Sequence, residues 1–376
     1  MIEVLRAGPM TSVQDGGRSG WRALGVTAAG ALDTTSLSLA NLLVGNRRDA
    51  AALEISLAPV RLRFDRPARI ALAGAGLDGR LDDGAPIRCW WSYRIEAGRT
   101  LTLNPIRPLG DVGLHTYLAV SGGIEVPEVL GSRSTDLKSG FGGLQGRLLV
   151  DGDRLPVGTG GLAQAPDARD RDGVPLGRPF GVRAPEWFWP KAAAGGRSPA
   201  VPVRFVPGPE WEDFSLVSRR LLVQEDWEVS ARSNRIGYRL GGPTLVRLKA
   251  RSRDLLSHGV LPGVIQVPPD GQPIVLMADA QTTGGYPKIG VVVSADLPVV
   301  AQVRFGARLR FVECDLAQAR AALRLAYSYL DEMAGIIDSR LGREPGSSRR
   351  AAPGPAAADP ALAPAAAAPI DNGDSS

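Results

Sequence analysis

The chain has 376 residues, 44% hydrophobic and 22% charged, with a formal net charge of +5 at pH 7. That supplies a substantial core, and because single cores stop growing near ~250–300 residues, two domains are expected. The positive charge rests on arginine, the lysines being Lys138, Lys191, Lys249 and Lys288 alone, and no basic stripe interleaved with aromatics marks a nucleic-acid surface. Arginine suits bidentate recognition of carboxylate and phosphate, although a genome-wide leaning towards arginine and alanine codons gives the same composition. Cys89 and Cys314 are too few and too far apart for a disulfide framework or a zinc site, which fits a reducing compartment. The first ten residues lack the layout of a signal peptide and no stretch of about 18 apolar residues occurs, so a soluble, cytoplasmic chain with no membrane span and no metal site is expected.

In chain order, residues 1–160 alternate short apolar stretches with glycine-rich and proline-rich turns, as at 60–64, 69–72 and 117–120. This spacing predicts a first β domain, a barrel or a sandwich. Leu37, Ala40, Leu43 and Val44 recur at helical spacing and Gly45-Asn46 supplies a stop, predicting a helix over 34–44 that plugs or covers the sheet. Residues 161–200 turn to Gly, Pro, Ala and Asp and read as a linker. A second β domain spans 201–313. Asp315 with Gln318 three residues on marks a helix start, and the stripe Leu316, Ala319, Leu323, Ala326, Leu330, Met333 and Ile337 predicts a C-terminal helix within 314–342 that docks on the protein's own body. Residues 343–376, rich in Ala and Pro, have too little apolar surface to offset ordering entropy and are expected to be disordered.

The halves echo one another. Arg18 to Arg22 and Arg235 to Arg239 both read R-x-G-aromatic-R, and both halves close on G-x-R-L, at Gly152–Leu155 and Gly306–Leu309. Duplicated barrels would explain this.

Several chemistries are absent. No lysine follows a glycine, so there is no Walker A loop, and no G-x-S-x-G elbow or H-E-x-x-H occurs. His115 and His258 are the only histidines and read as structural. No lysine sits between methionines, so this chain is not a biotin carrier.

Three segments read as sites. In 11–20, Gln14, Asp15 and Arg18 crowd among glycines, where backbone amides can approach an anion and Arg18 and the following Arg22 can fork onto it. In 121–143, Arg133 and Ser134 belong to a cluster of hydroxyls, arginine and glycines suited to holding carbonyl or phosphate oxygens, residue types that also form ordinary turns. In 263–288, a strand leads to Asp279, Gln281, Thr282, Thr283, Gly284, Gly285, Tyr286 and Lys288 around a glycine hinge. There Asp279 is read as a base or an orienting group, Gln281 as a reader of an amide, and Lys288 as a stabiliser of developing negative charge.

In order along the chain, G-P-M-T-S-V-Q-D at 8–15, G-A-L-D at 30–33, A-N-L-L-V-G-N at 40–46, A-L-E at 52–54, Y-L-A-V-S-G-G-I, G-S-R-S-T, S-N-R-I-G-Y-R-L, G-V-I-Q-V-P and D-A-Q-T-T-G-G-Y-P resemble the family of 5-oxoprolinase C-subunits and biotin-dependent carboxyltransferases. That family also holds the carboxyltransferase part of urea carboxylase and the Kip-type antagonist, and the resemblance covers residues 1–313. It implies a mostly β protein of two cyclophilin-like barrels, paired directly with a 5-oxoprolinase B-subunit-like protein, with the site where the partners meet. For a 5-oxoprolinase it implies ATP-dependent opening of 5-oxoproline to glutamate, with an A-subunit-like protein completing an enzyme in which this chain alone is inactive. Two alternatives are implied: transfer of a carboxyl group to urea or a similar amide from carboxybiotin borne by another chain, or a non-enzymatic regulator that binds a kinase-inhibitor partner. Within this frame Asp279, Gln281 and Lys288 are expected to be catalytic. Arg235, Tyr238, Gln266, Thr282, Thr283, Gly284, Gly285, Tyr286, Gln14, Asp15, Arg18, Arg133 and Ser134 are expected to bind substrate.

Overall fold

A computed structural model describes residues 1–75, 77–106, 113–159, 178–185, 200–251 and 255–342. The expected tail, 343–376, and most of the expected linker, 161–200, lie outside the described residues. Of that linker, Phe180–Gly181 forms a short strand on the edge strand Trp91–Ile95.

The first half is two six-stranded sheets. One runs in the order Arg154–Leu155, Ile2–Arg6, Val60–Phe64, Thr100–Pro105, Leu77–Leu81 and Pro86–Ile87. Its strands alternate: in Val60–Phe64, Val60, Leu62 and Phe64 are buried while Arg61 and Arg63 face out, the pattern of a sheet with one wet face. The other sheet runs Phe180–Gly181, Trp91–Ile95, Ala68–Gly74, Thr116–Val120, Ala52–Leu57 and Met10–Gln14. Here all seven residues of Ala68–Gly74 are buried. Ile70 and Leu72 pack into the core between the sheets, whereas Ala71 and Ala73 meet a second core under two helices. Small alanines on that outer face leave room for helices to lie close.

Helix α1 (Thr34–Leu43) starts where Asp33 accepts the backbone N–H of Ser36 at 2.9 Å, satisfying one of the orphan donors of the first turn. It covers Ala68–Gly74 and Thr116–Val120, as expected from its spacing. Helices α2 (Leu216–Gln224) and α3 (Leu297–Gln302) belong to the second half. Helix α4 (Leu316–Arg340) begins with a capping box, Asp315 and Gln318 each accepting from the other's backbone N–H. It lays Leu330, Ala334 and Ile337 on the core it shares with α1. Leu316, placed on that stripe by its spacing, is instead 62% exposed.

The second half closes into a seven-stranded barrel: Val201–Pro207, Lys288–Val292, Val264–Gln266, Ile274–Leu276, Gly237–Gly241, Trp227–Val229 and Arg308–Glu313. Closure comes from the parallel pairing of Val201–Pro207 with Arg308–Glu313, Val201 opposite Leu309. Val203, Phe205, Trp227, Tyr238, Ile265, Val275, Ile289, Leu309 and Phe311 fill it, and Leu32 and Leu114 of the first half join this core. A fully buried side chain of this size stabilises by about 1.5–3 kcal/mol, so the barrel can hold a polar group at its rim. Beside it, His258–Gly259 and Thr283–Gly284 form a separate two-stranded ribbon.

Candidate functional site

The candidate residues fall into three places. The first is the seam between the halves. Arg235, 6% exposed, donates from Nε and Nη2 to the two carboxylate oxygens of Asp279, each at 2.9 Å, from Nη1 to Glu54, and from Nη2 to the Gly30 carbonyl. Glu54 also accepts from Tyr117 Oη at 2.6 Å and from the Leu32 N–H at 2.9 Å. Burial alone would lower the Arg235 pKa, but Glu54 and Asp279 outweigh it and raise it above the ordinary arginine value. Burial likewise pushes Glu54 up, and Arg235, His115 and its hydrogen bonds bring it below the usual glutamate range. Asp279 is pushed up by burial, with Arg235 opposing.

Tyr238, 1% exposed, donates to the Ala301 carbonyl at 3.0 Å and lies 3.3 Å from His115 Nε2. Gln302 of α3 crosses to the first half, donating to Asp33 at 2.7 Å and the His115 carbonyl at 3.0 Å while accepting from the N–H groups of Leu114 and His115. Burial lowers the His115 pKa to about 4 and raises that of Asp33 to about 6. These groups are paired with one another and sealed from solvent. Arg235, Asp279 and Tyr238 join the halves rather than line an opening.

The second place is the turn at 14–18. Asp15 accepts from the hydroxyls of Ser132 (2.7 Å) and Ser134 and from the N–H groups of Gly17 (2.8 Å) and Arg133 (2.6 Å). Arg18 donates to the Ser134 carbonyl and to that of Val129 at 3.3 Å, and lies over the Phe141 ring at 4.6 Å. Gly142, at φ +71°, makes room for it, since a Cβ there would sit 2.7 Å from Arg18 Nη2 and 2.1 Å from the Ser134 carbonyl. Gln14 Nε2 bonds to Ser12 Oγ and the Thr135 carbonyl. Many valences are spent within the turn, while Gln14 Oε1 and Arg18 Nη1 are buried without a partner. Arg22, just beyond it, reaches the other half: its Nη2 donates to the carbonyls of Val260 and, at 3.2 Å, Gln281.

The third place is the barrel rim. Gln266 and Lys288 are opposite one another on neighbouring strands, each 2% exposed. Lys288 Nζ lies 3.8 Å from Glu210 and 3.3 Å from His258 Nδ1, and its backbone N–H donates to Glu210 at 2.8 Å. Burial holds the Lys288 pKa below the usual lysine range, with Glu210 opposing. Gln281 Nε2 stands 3.5 Å from Gln266 Oε1, at the limit of a hydrogen bond, and Gln266 Nε2 is buried without a partner. A Cβ on Gly284 would lie 2.7 Å from that nitrogen, so a larger residue there would push the Gln266 amide aside.

The ribbon separates this cluster from an open cavity of about 770 Å³, whose lining includes Gln281, Gly284, Gly285, Tyr286, Lys249 and Phe214. Thr282, through its carbonyl, accepts the Val260 N–H at 2.9 Å, and Thr283 pairs with Gly259.

The structure thus brings Gln266, Gln281, the 282–286 ribbon and Lys288 together and turns Asp279 away to Arg235. Glu54, Glu210 and His258 complete these clusters without having been singled out. Glu54 stood in the A-L-E string and His258 read as structural, but nothing local in the sequence pairs them with their distant partners.

The family model described as carboxyltransferase domain, subdomain A and B, matches residues 24–313, and the chain belongs to this family. It is similar to the 5-oxoprolinase C-subunit of Escherichia coli (strain K12), 46% identical over 334 residues that cover 89% of this chain and 98% of that protein. The 5-oxoprolinase C-subunit of Haemophilus influenzae is 35% identical over 90% of this chain and 100% of that one. Among solved structures, the Kluyveromyces lactis urea carboxylase superposes with a TM-score of 0.76 at 29% identity, covering 88% of this chain and 29% of that one. Among the described residues no helix is long and apolar enough to cross a membrane.

Proposed function

We propose that this chain is the C-subunit of an ATP-dependent 5-oxoprolinase that opens 5-oxoproline to glutamate, working with a B-subunit-like partner in direct contact and an A-subunit-like protein. The observation that carries this reading is the 46% identity maintained over 98% of the Escherichia coli 5-oxoprolinase C-subunit. The barrel rim supports it. An amide substrate presents one acceptor and one donor, and the Gln266–Gln281 pair offers both, with one buried amide nitrogen still unspent. Lys288 supplies a positive charge beside them in a site of little water, where such a charge acts strongly on developing negative charge. A ribbon of two paired residues a side is marginal by itself. Its local opening joins the rim to the cavity and lets substrate reach Lys288.

ATP is consumed by the assembled enzyme; this chain has no Walker A lysine of its own. The likeness to urea carboxylase favours a second reading, carboxyl transfer to an amide from biotin held on another chain, and the same donors serve it. The test is to purify the chain with its neighbouring subunits and measure ATP-dependent glutamate release from 5-oxoproline, omitting each component in turn. Release from the complete set alone supports the proposal. A stable complex that releases no glutamate but carboxylates urea in the presence of a biotin carrier overturns it.

A further inference from the structure

Lys288 is a buried amine beside the partly exposed His258. Among the described residues, the charged or titratable groups facing it are Glu210, 3.8 Å from Nζ, and His258, whose Nδ1 is 3.3 Å away. Gln266 on the adjacent strand is uncharged. The imidazole spans the boundary: Nδ1 faces the buried amine, while the side chain is 46% exposed and Nε2 stands 3.9 Å from Glu210. Nδ1 also lies 3.2 Å from the Leu256 carbonyl. These two contacts exclude one another. Nδ1 accepts from the Lys288 ammonium only when it carries no proton, and donates to the Leu256 carbonyl only when it does. The ring is therefore placed between two protonation states of the amine behind it.

Opening a lactam breaks a C–N bond, adds the oxygen of water to the carbonyl carbon, and leaves a nitrogen that must gain a proton. We propose that Lys288 delivers this proton and that His258 is the relay that reloads it from solvent. This rests on the reading that the chain acts on 5-oxoproline. Lys288 passes a proton from Nζ to the departing nitrogen and becomes a neutral amine. His258, whose resting proton is on Nε2, then takes a solvent proton at Nδ1 beside the carbonyl of exposed Leu256 and passes it to Nζ, restoring the ammonium and the neutral ring. Glu210, beside Lys288, favours the charged form of the amine. His258 touches no substrate in this scheme and acts through Lys288.

The chain contains four lysines, so ¹³C-lysine labelling gives a small set of Cε resonances, and Lys288→Arg identifies the one that belongs to Lys288. In the full-length chain the Lys288 resonance is expected to shift with pH in two steps, one its own and one set by the His258 ring 3.3 Å away. His258→Gln, which keeps a polar group but cannot carry the proton, removes that step. An unchanged Lys288 titration in His258→Gln overturns the proposal, whatever the substrate is.

In the assembled enzyme, His258→Gln is expected to lower kcat on the order of 10²-fold with KM little changed, and added imidazole restores part of the activity of His258→Ala. Wild-type activity with a wild-type pH profile in both variants overturns the relay while leaving the proposed function standing. A wild-type complex that releases no glutamate removes the function, and the titration still decides the coupling.

Discussion

The seam and the barrel rim use the same kinds of side chain to opposite ends. At the seam a guanidinium, two carboxylates, a tyrosine, a histidine and a glutamine interlock, from a bidentate pair at 2.9 Å out to 3.3 Å between Tyr238 and His115, and none of them faces solvent. At the rim the contacts stretch to 3.3–3.8 Å, one amide nitrogen is unspent, and a cavity lies across a two-residue ribbon. A saturated polar network fixes geometry, because every change strands a buried partner. A loosely bonded one keeps capacity for a ligand. Side-chain type alone does not separate the two; saturation does.

The comparison breaks most visibly at Arg235. Arg235→Met leaves Glu54 and Asp279 buried and facing one another, and removal of one member of such a network costs about 3–5 kcal/mol. Urea unfolding is expected to show that loss, or a chain that does not fold; a loss under about 1 kcal/mol would make the seam unimportant.

A pH series sharpens the same point at His115. Its folded pKa of about 4 lies below the ordinary 6.5. Folding therefore favours the neutral ring, and its contribution is intact above pH 6.5 and lost as pH falls towards 4, by about 3 kcal/mol. The stability difference between wild type and His115→Gln should shift by that amount in favour of the variant over this range. Parallel curves would show that the ring is not buried neutral.

At Arg22 a smaller effect is expected. Arg22→Ala removes two donations to carbonyls flanking the ribbon, those of Val260 and Gln281, costing about 1 kcal/mol of global stability. Amide exchange at Val260 and Gly284 should quicken selectively, and equal quickening throughout the barrel would contradict a local role. Lys288→Met should change stability least, because the lost ammonium was held in a buried site that disfavours its charge.

Much of the fold was legible. The strand at 201–207, the closing strand near 309–312, α1 and the capped α4 all follow from period and capping residues. The resemblance implied two barrels, and the closed one is the second half, whose strands bury one face around a single core. The first half takes a two-sheet form, where alanines at 71 and 73 make room for helices on an outer face. The third segment was legible as a site only in part. Asp279 and Lys288 stand nine residues apart in one motif, and alternation and turning send one to Arg235 and the other to Glu210 and His258. Partners at such separations, Glu54 with Arg235 or Arg22 with Gln281, are set by how the halves dock, and no local pattern encodes that.

The proposed function puts the chemistry at the rim rather than at the seam. The most direct test is Lys288→Met in the complete complex, with glutamate release followed beside co-elution of the partner chains. An intact complex whose ATP-dependent release falls on the order of 10²–10³-fold is expected. An intact complex with wild-type release would contradict a catalytic rim.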